Sequence, residues 1–295
     1  MKTTKFTLFF ILLTSAAFAQ DYAFKVLANK GSNEVKSGAD WVPLKTGASL
    51  RSGDELKLSD NAYLGLVHSS GKPLEVKKAG SYKVAILESQ VKTGSGVLTK
   101  YTDFILSSNT PEAKKNKLSA TGAVDRGENY AIKVKLPGNQ NAGIFNNTAI
   151  VSWDGATAAG PYTVTVHNMF DDELAKYETP ETSFQLDLND GKLSKENAVL
   201  VEIKSKSDAK LVSKAYLIKK LAPAEQATVK KSLSEISSDL SEDTALNKFI
   251  LAGFYEQQNL YIDAITTYEQ AIKLAPDVVA YKESYDDFLQ RHGMK

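Results

Sequence analysis

The chain has 295 residues, of which 42% are hydrophobic and 24% charged, and its net charge is +1. That balance argues against a largely disordered chain, which needs fewer apolar residues and more net charge. It also argues against a nucleic-acid binder, whose affinity rests on clustered Lys and Arg. The absence of Cys removes disulfides and thiolate metal sites.

Residues 1–19 read as a secretory signal peptide. Lys2 and Lys5 precede an apolar run from Thr7 to Phe18, and Ala17 and Ala19 stand at the −3 and −1 positions of a cleavage site. The run is shorter than the about 20 apolar residues of a spanning helix, and no later stretch is long and apolar enough. The expectation is a soluble chain, periplasmic or otherwise exported, with no membrane span after cleavage.

Residues 20–107 alternate apolar and polar positions between Gly-rich turns. Phe24–Leu27, Leu56–Leu58, Tyr63–His68, Leu74–Val76 and Tyr82–Ile86 read as short strands, which predicts an all-β barrel or sandwich. The run W-x-P-L-x-x-G-x-x-L-x-x-G-D-x-L-x-L from Trp41 to Leu58 continues as A-Y-L-G-L, S-G-K-x-L-E and A-G-x-Y-x-V up to Val84. These residues resemble the periplasmic β-domain of FecR-like regulators. The resemblance covers about a third of the chain and implies relay of an envelope signal to a sigma-factor pathway. The chain departs from that family by carrying a cleavable signal where the family has a cytosolic segment and a transmembrane helix.

Residues 108–125 are rich in Lys, Ser and Thr and read as a linker. Residues 126–221 return to period 2, with strands at Tyr130–Leu136, Ala149–Trp153, Tyr162–Val166, Ser183–Leu188, Ala198–Ile203 and Tyr216–Ile218. The order of a strand ending in Trp, G-P-Y-x-V-x-V and two later strands is similar to an immunoglobulin- or fibronectin-like sandwich without its Cys pair.

From Leu221 the period changes to 3.6, with Pro223 at a helix start. Leu251, Ala252, Tyr255, Ala264, Tyr268, Ala271 and Pro276 have the spacing of one tetratricopeptide-like repeat. One repeat cannot bury its apolar faces alone, so residues 222–295 must be capped by flanking helices or dock on the β-domains. Residues 21–125 hold 15 Lys/Arg against 11 Asp/Glu, and residues 222–295 hold 7 against 12. The opposite signs favour contact between the two ends, within or between chains. The fold class is thus mainly β with a C-terminal α segment.

Catalytic and metal chemistry find little support. Ser69-Ser70-Gly71-Lys72 matches S-x-x-K, Ser59-Asp60-Asn61 matches S-D-N, and Lys45-Thr46-Gly47 and Lys92-Thr93-Gly94 match K-T-G. The order is wrong for an acyl-enzyme, however, and Ser69 falls in a turn where Lys72 need not face it. His68, His167 and His292 fall in different regions without ligand spacing. Asp187–Gly191 resembles a calcium loop with its Gly one residue early and Ala198 where the last ligand belongs, so an Asx turn is expected. Trp41 and Trp153 are possible sugar-stacking platforms, but each stands where a core aromatic is expected.

The expected function is that of a non-catalytic exported interaction or scaffold protein of the cell envelope, without a cofactor or metal. Its partner would be another envelope protein or peptide. Binding would use Leu246, Phe249, Ile250, Gly253, Glu256 and Gln257 on the helix facing the repeat groove. An envelope signal-relay component is the alternative, and an envelope-polymer enzyme a third.

Overall fold

The computed structural model describes residues 22–91, 94, 96–108, 130–156 and 158–295. Residues 1–19, read as a signal peptide, and most of residues 108–125, read as a linker, lie outside these. β-sheets occupy the first two thirds and helices the last.

The first region holds β1 (Phe24–Lys30), β2 (Glu34–Lys36), β3 (Trp41–Pro43), β4 (Ser49–Leu50), β5 (Glu55–Leu58), β6 (Tyr63–His68), β7 (Pro73–Val76) and β8 (Gly80–Lys83). They form two four-stranded sheets, ordered β4-β1-β6-β7 and β3-β2-β5-β8. Phe24, Val26, Leu50, Leu56, Leu64 and Leu66 fill the core of this region. The Tyr63–Val67 run has no polar alternation because both of its faces are covered. Leu64 and Leu66 point into the core between the sheets, whereas Tyr63 and Val67, with Leu27 and Ala28 of β1, join a second core shared with the helices.

The run read as a strand over Tyr82–Ile86 ends at Lys83, and the chain continues as helix α1 (Val84–Gln90), which buries Val84 and Leu87. Helix α2 (Thr99–Ser108) was not expected. Its signal is nevertheless present: Leu98, Tyr101, Thr102 and Ile105 recur at helical spacing and are all buried.

The second region holds β9 (Gly143–Ile144), β10 (Thr148–Ser152), β11 (Tyr162–His167), β12 (Glu173–Thr179), β13 (Ser183–Asp187), β14 (Ala198–Ser205) and β15 (Tyr216–Lys220). β10 pairs with β13, and the other sheet runs β12-β11-β14-β15-β9. Tyr130–Leu136, expected as a strand, makes only one bridge, Val134 to Trp153. β12 begins at Glu173, so Asp171 and Asp172 lie in the turn that precedes it. Trp153 is 2% exposed and meets Tyr162 edge-to-face, with centroids 5.1 Å apart.

Trp41 departs from its expected core position. It is 39% exposed on edge strand β3. Its cross-strand partner is Lys36, on the sheet face opposite to the one that carries Val35 and Leu56.

The helical region comprises α3 (Pro223–Ser237), α4 (Ala245–Gln257), α5 (Tyr261–Leu274) and α6 (Val279–Arg291). Pro223 opens α3, and the Glu225 carboxylate accepts the Ala222 N–H at 2.9 Å. Thr244 caps α4 by accepting the Asn247 N–H. Ala252 and Ala264, both fully buried, lie in the packed α4–α5 pair. α5 also lies along β9 and β10: the Ile150 N–H donates to Thr266 Oγ1 at 2.9 Å and Ser152 Oγ bonds Glu269 at 2.8 Å. The helix thereby covers a sheet edge that would otherwise present unpaired backbone groups. α6 reaches the other way, to β1. Lys30–Asp277 and Lys72–Asp239 ion pairs join the basic amino-terminal region to the acidic helices within one chain.

Candidate functional site

The helix face expected to receive a partner is taken by the chain itself. Leu246, Phe249, Ile250, Gly253 and Glu256 are buried, and Gln257 alone of the six is exposed. Leu246 packs on β6, where a Cβ on Gly65 would stand 3.1 Å from its Cδ1. Phe249 lies against Tyr281, with centroids 4.8 Å apart. Gly253 receives α2: a Cβ there would fall 2.8 Å from two carbons of Ile105. Next to it Tyr101 meets Phe254 edge-to-face, and Gln257 Nε2 approaches the Lys100 carbonyl at 3.4 Å. α2 therefore packs on α4 around Gly253. Gly253→Val is expected to force α2 off this helix at a cost of about 1–3 kcal/mol. Faster proteolysis within residues 99–108 would register it.

Two polar nodes hold the helices to the β-regions. Glu75 on β7 accepts the Tyr63 hydroxyl and, at 2.8 Å, the Leu246 N–H, and it pairs with Lys77 at 2.6 Å. Tyr281 of α6 shares the Tyr63 hydroxyl at 2.7 Å. Burial, with Tyr281 and Glu75 adding to it, drives the Tyr63 phenol far above its usual range and keeps it neutral. The second node is Asp263 of α5. Its carboxyl accepts the Phe145 N–H at 2.8 Å, the Asn146 N–H at 2.9 Å and Asn146 Nδ2 at 2.7 Å. Asn146 Nδ2 also donates to the Tyr255 hydroxyl, and burial pushes that phenol up to about 12.

Of the short motifs, Lys92 and Thr93 of the second K-T-G lie outside the described residues. Lys72 Nζ bonds the Ser238 carbonyl at 3.2 Å and lies 3.5 Å from Asp239, away from any task at Ser69. A different group forms beside it. Ser70 Oγ lies 2.8 Å from His68 Nδ1, and His68 Nε2 lies 3.7 Å from Glu88. The same Nδ1 accepts the Ser70 N–H, and Ser70 Oγ accepts the Gly94 N–H at 3.1 Å. The Ser70 carbonyl takes the Gly96 N–H at 2.9 Å. The Ser70 hydroxyl and carbonyl thus fasten the β6–β7 turn to Gly94 and Gly96, and the imidazole holds Ser70. No metal-holding cluster of His, Asp or Glu occurs among the described residues. Asp187 accepts the Asn189 N–H at 2.9 Å, the Asx turn expected there.

The most exposed large apolar side chain in the described residues sits on the β11–β12 turn. Phe170 is 86% exposed and Met169 beside it 53%. The turn is tightly held. Asn168 Oδ1 accepts the N–H groups of Phe170 at 2.8 Å and Asp172 at 3.0 Å, and Asn168 Nδ2 donates to Asp172 at 2.9 Å. Asp171 takes φ +65°, a conformation Asp tolerates better than most residues. Asp171, Asp172 and Glu173 follow directly. A rigid turn of Asn and Asp thus holds two apolar side chains out in water. The sequence signal was an apolar pair at the centre of an otherwise turn-forming N-M-F-D-D.

No family model matches the chain, and no curated protein shows significant similarity to it. No helix among the described residues is long and apolar enough to cross a membrane.

Proposed function

We propose that the protein is a non-catalytic, exported interaction or scaffold protein of the cell envelope, docking on a partner through the β11–β12 turn. The signal-peptide reading of residues 1–19 supports export. The paired four-stranded sheets are consistent with a FecR-like β-domain over residues 20–107. The β10-β13 and β12-β11-β14-β15-β9 sheets suit an immunoglobulin- or fibronectin-like sandwich, and the packed α4–α5 pair a tetratricopeptide-like repeat, with α2 against α4.

The observation that carries the proposal is the exposure of Phe170 on a turn too well bonded to fold it inward. A buried Phe gains about 1.5–3 kcal/mol over an exposed one. That gain is open to a partner with an apolar pocket, and the acids beside Phe170 call for basic groups at its rim. A photo-crosslinking phenylalanine analogue at position 170 tests this in intact cells. The expected result is a discrete protein adduct that disappears when Asp171 and Asp172 become Lys. The same adduct pattern from position 86, which is also exposed, or none at all, would refute the docking role.

A further inference from the structure

The amino-terminal region carries a second surface, independent of the Phe170 turn. On the β3-β2-β5-β8 sheet, Val35, Val42, Leu56 and Tyr82 share one face, which packs on the core through Val35, Leu56 and Tyr82 and leaves Val42 at the edge exposed. The opposite face carries two cross-strand rows. One reads Trp41, Lys36, Glu55, Lys83, and the other Pro43, Glu34, Lys57, Ser81. Among the described residues, no helix packs broadly across β2, β3 or β5. Pro43, Glu34 and Lys57 also line an open groove of about 510 Å³, with Gly31, Ser32 and Ser59 among its other walls. That volume is within the roughly 300–1,000 Å³ range of small-molecule sites.

The polar groups here are uncommitted. Among the described residues, none of Glu34, Lys36, Glu55, Lys57 and Lys83 forms an ion pair or a side-chain hydrogen bond with the protein. Among the described residues, the Trp41 ring has neither an aromatic nor a cationic partner. This contrasts with the other nodes of the molecule, where acids such as Glu75, Glu256 and Asp263 are fully engaged.

We propose that this face binds a neutral glycan chain. Trp41 and Pro43 supply a flat apolar strip for the C–H face of a pyranose ring, and Glu34, Lys36 and Lys57 supply acceptors and donors for its hydroxyls. Three lysines against two glutamates leave the face too nearly neutral to hold a polyanion. A dry protein interface would have to desolvate five charged groups without partners, whereas a polyhydroxyl ligand bonds them directly or through water. Strand addition at the free edge of β3 is disfavoured, because β3 has three residues and its last, Pro43, has no N–H.

Titration with chitotetraose and with cellotetraose, read by tryptophan emission, tests the site, because Trp41 is exposed and Trp153 buried. The expected result is a saturable blue shift with at least one of them. By calorimetry, Trp41→Ala should weaken that binding about tenfold or more. Glu34→Gln and Lys57→Ala should each weaken it several-fold with unchanged melting temperatures, and Ile86→Ala should leave it intact. The absence of a saturable response to either oligosaccharide up to ~10 mM would overturn the proposal. So would undiminished affinity in Trp41→Ala, or binding of a short extended peptide in place of both sugars.

Discussion

Asp263→Ala is expected to destabilise the chain by about 2–5 kcal/mol, because it leaves the buried N–H groups of Phe145 and Asn146 without an acceptor. Asp263 is 1% exposed, and α5 has no other carboxylate bonded to this segment. Loss of the clamp should loosen the helices from the second β-region, and urea unfolding read at Trp153 would measure it. The same group confers a pH dependence. Burial raises the Asp263 carboxyl from 3.8 to about 6, outweighing the N–H donors that pull it down. The folded state therefore holds its proton more tightly than the unfolded chain. The resulting stability is complete below about pH 4 and is lost as the pH rises through about 6, a total of roughly 3 kcal/mol for a shift of this size. Asp263→Asn has no proton to lose, so its stability should be flatter between pH 4 and 7 than that of the parent. Parallel slopes in the two proteins would refute the assignment.

Glu256→Ala should be comparably severe. Glu256 sits on α4 with a side chain 3% exposed. It takes Arg291 through Nε at 3.0 Å and Nη2 at 2.6 Å, and His292 Nε2 lies 3.0 Å away. His292 is in turn packed on Tyr261, with ring centroids 4.1 Å apart. Removing the carboxylate leaves a half-buried guanidinium without its partner, a loss of about 3–5 kcal/mol in comparable cases. Glu256→Leu combined with Arg291→Met removes both charges and should restore most of the loss, whereas either single change should not. Chemical denaturation of the four proteins gives the coupling directly. Additive single losses would show that the pair does not hold α6 to α4.

The sequence expectations succeeded where a local pattern decides the outcome. Strands such as Tyr162–His167 and Ala198–Ser205 alternate over a single sheet face, and Pro223 opens a helix as its missing N–H allows. They failed at Tyr82–Ile86, where one apolar run is divided between β8 and α1, and over Leu98–Ile105, where helical spacing was hidden inside a region read as β. Of the six positions expected to face a partner, five are buried by α2, β6, α6 and the chain's own ion pairs. Their apolar character was legible. The origin of the surface that covers them was not.

From its residues alone, this protein is legible as mainly β with a helical C-terminal segment, with Trp153 in a core and no thiol chemistry. Each of these follows from composition or from a period of 2 or 3.6 along a short window. The tertiary structure decided that α2 packs on α4, that Trp41 turns outward, that Phe170 stands in water, and that Glu75, Asp263 and Glu256 are structural clamps. All of these depend on which distant segment covers a given face. Periodicity marks two faces on every strand and helix, but only the packing of elements a hundred or more residues apart settles which face meets protein and which meets solvent.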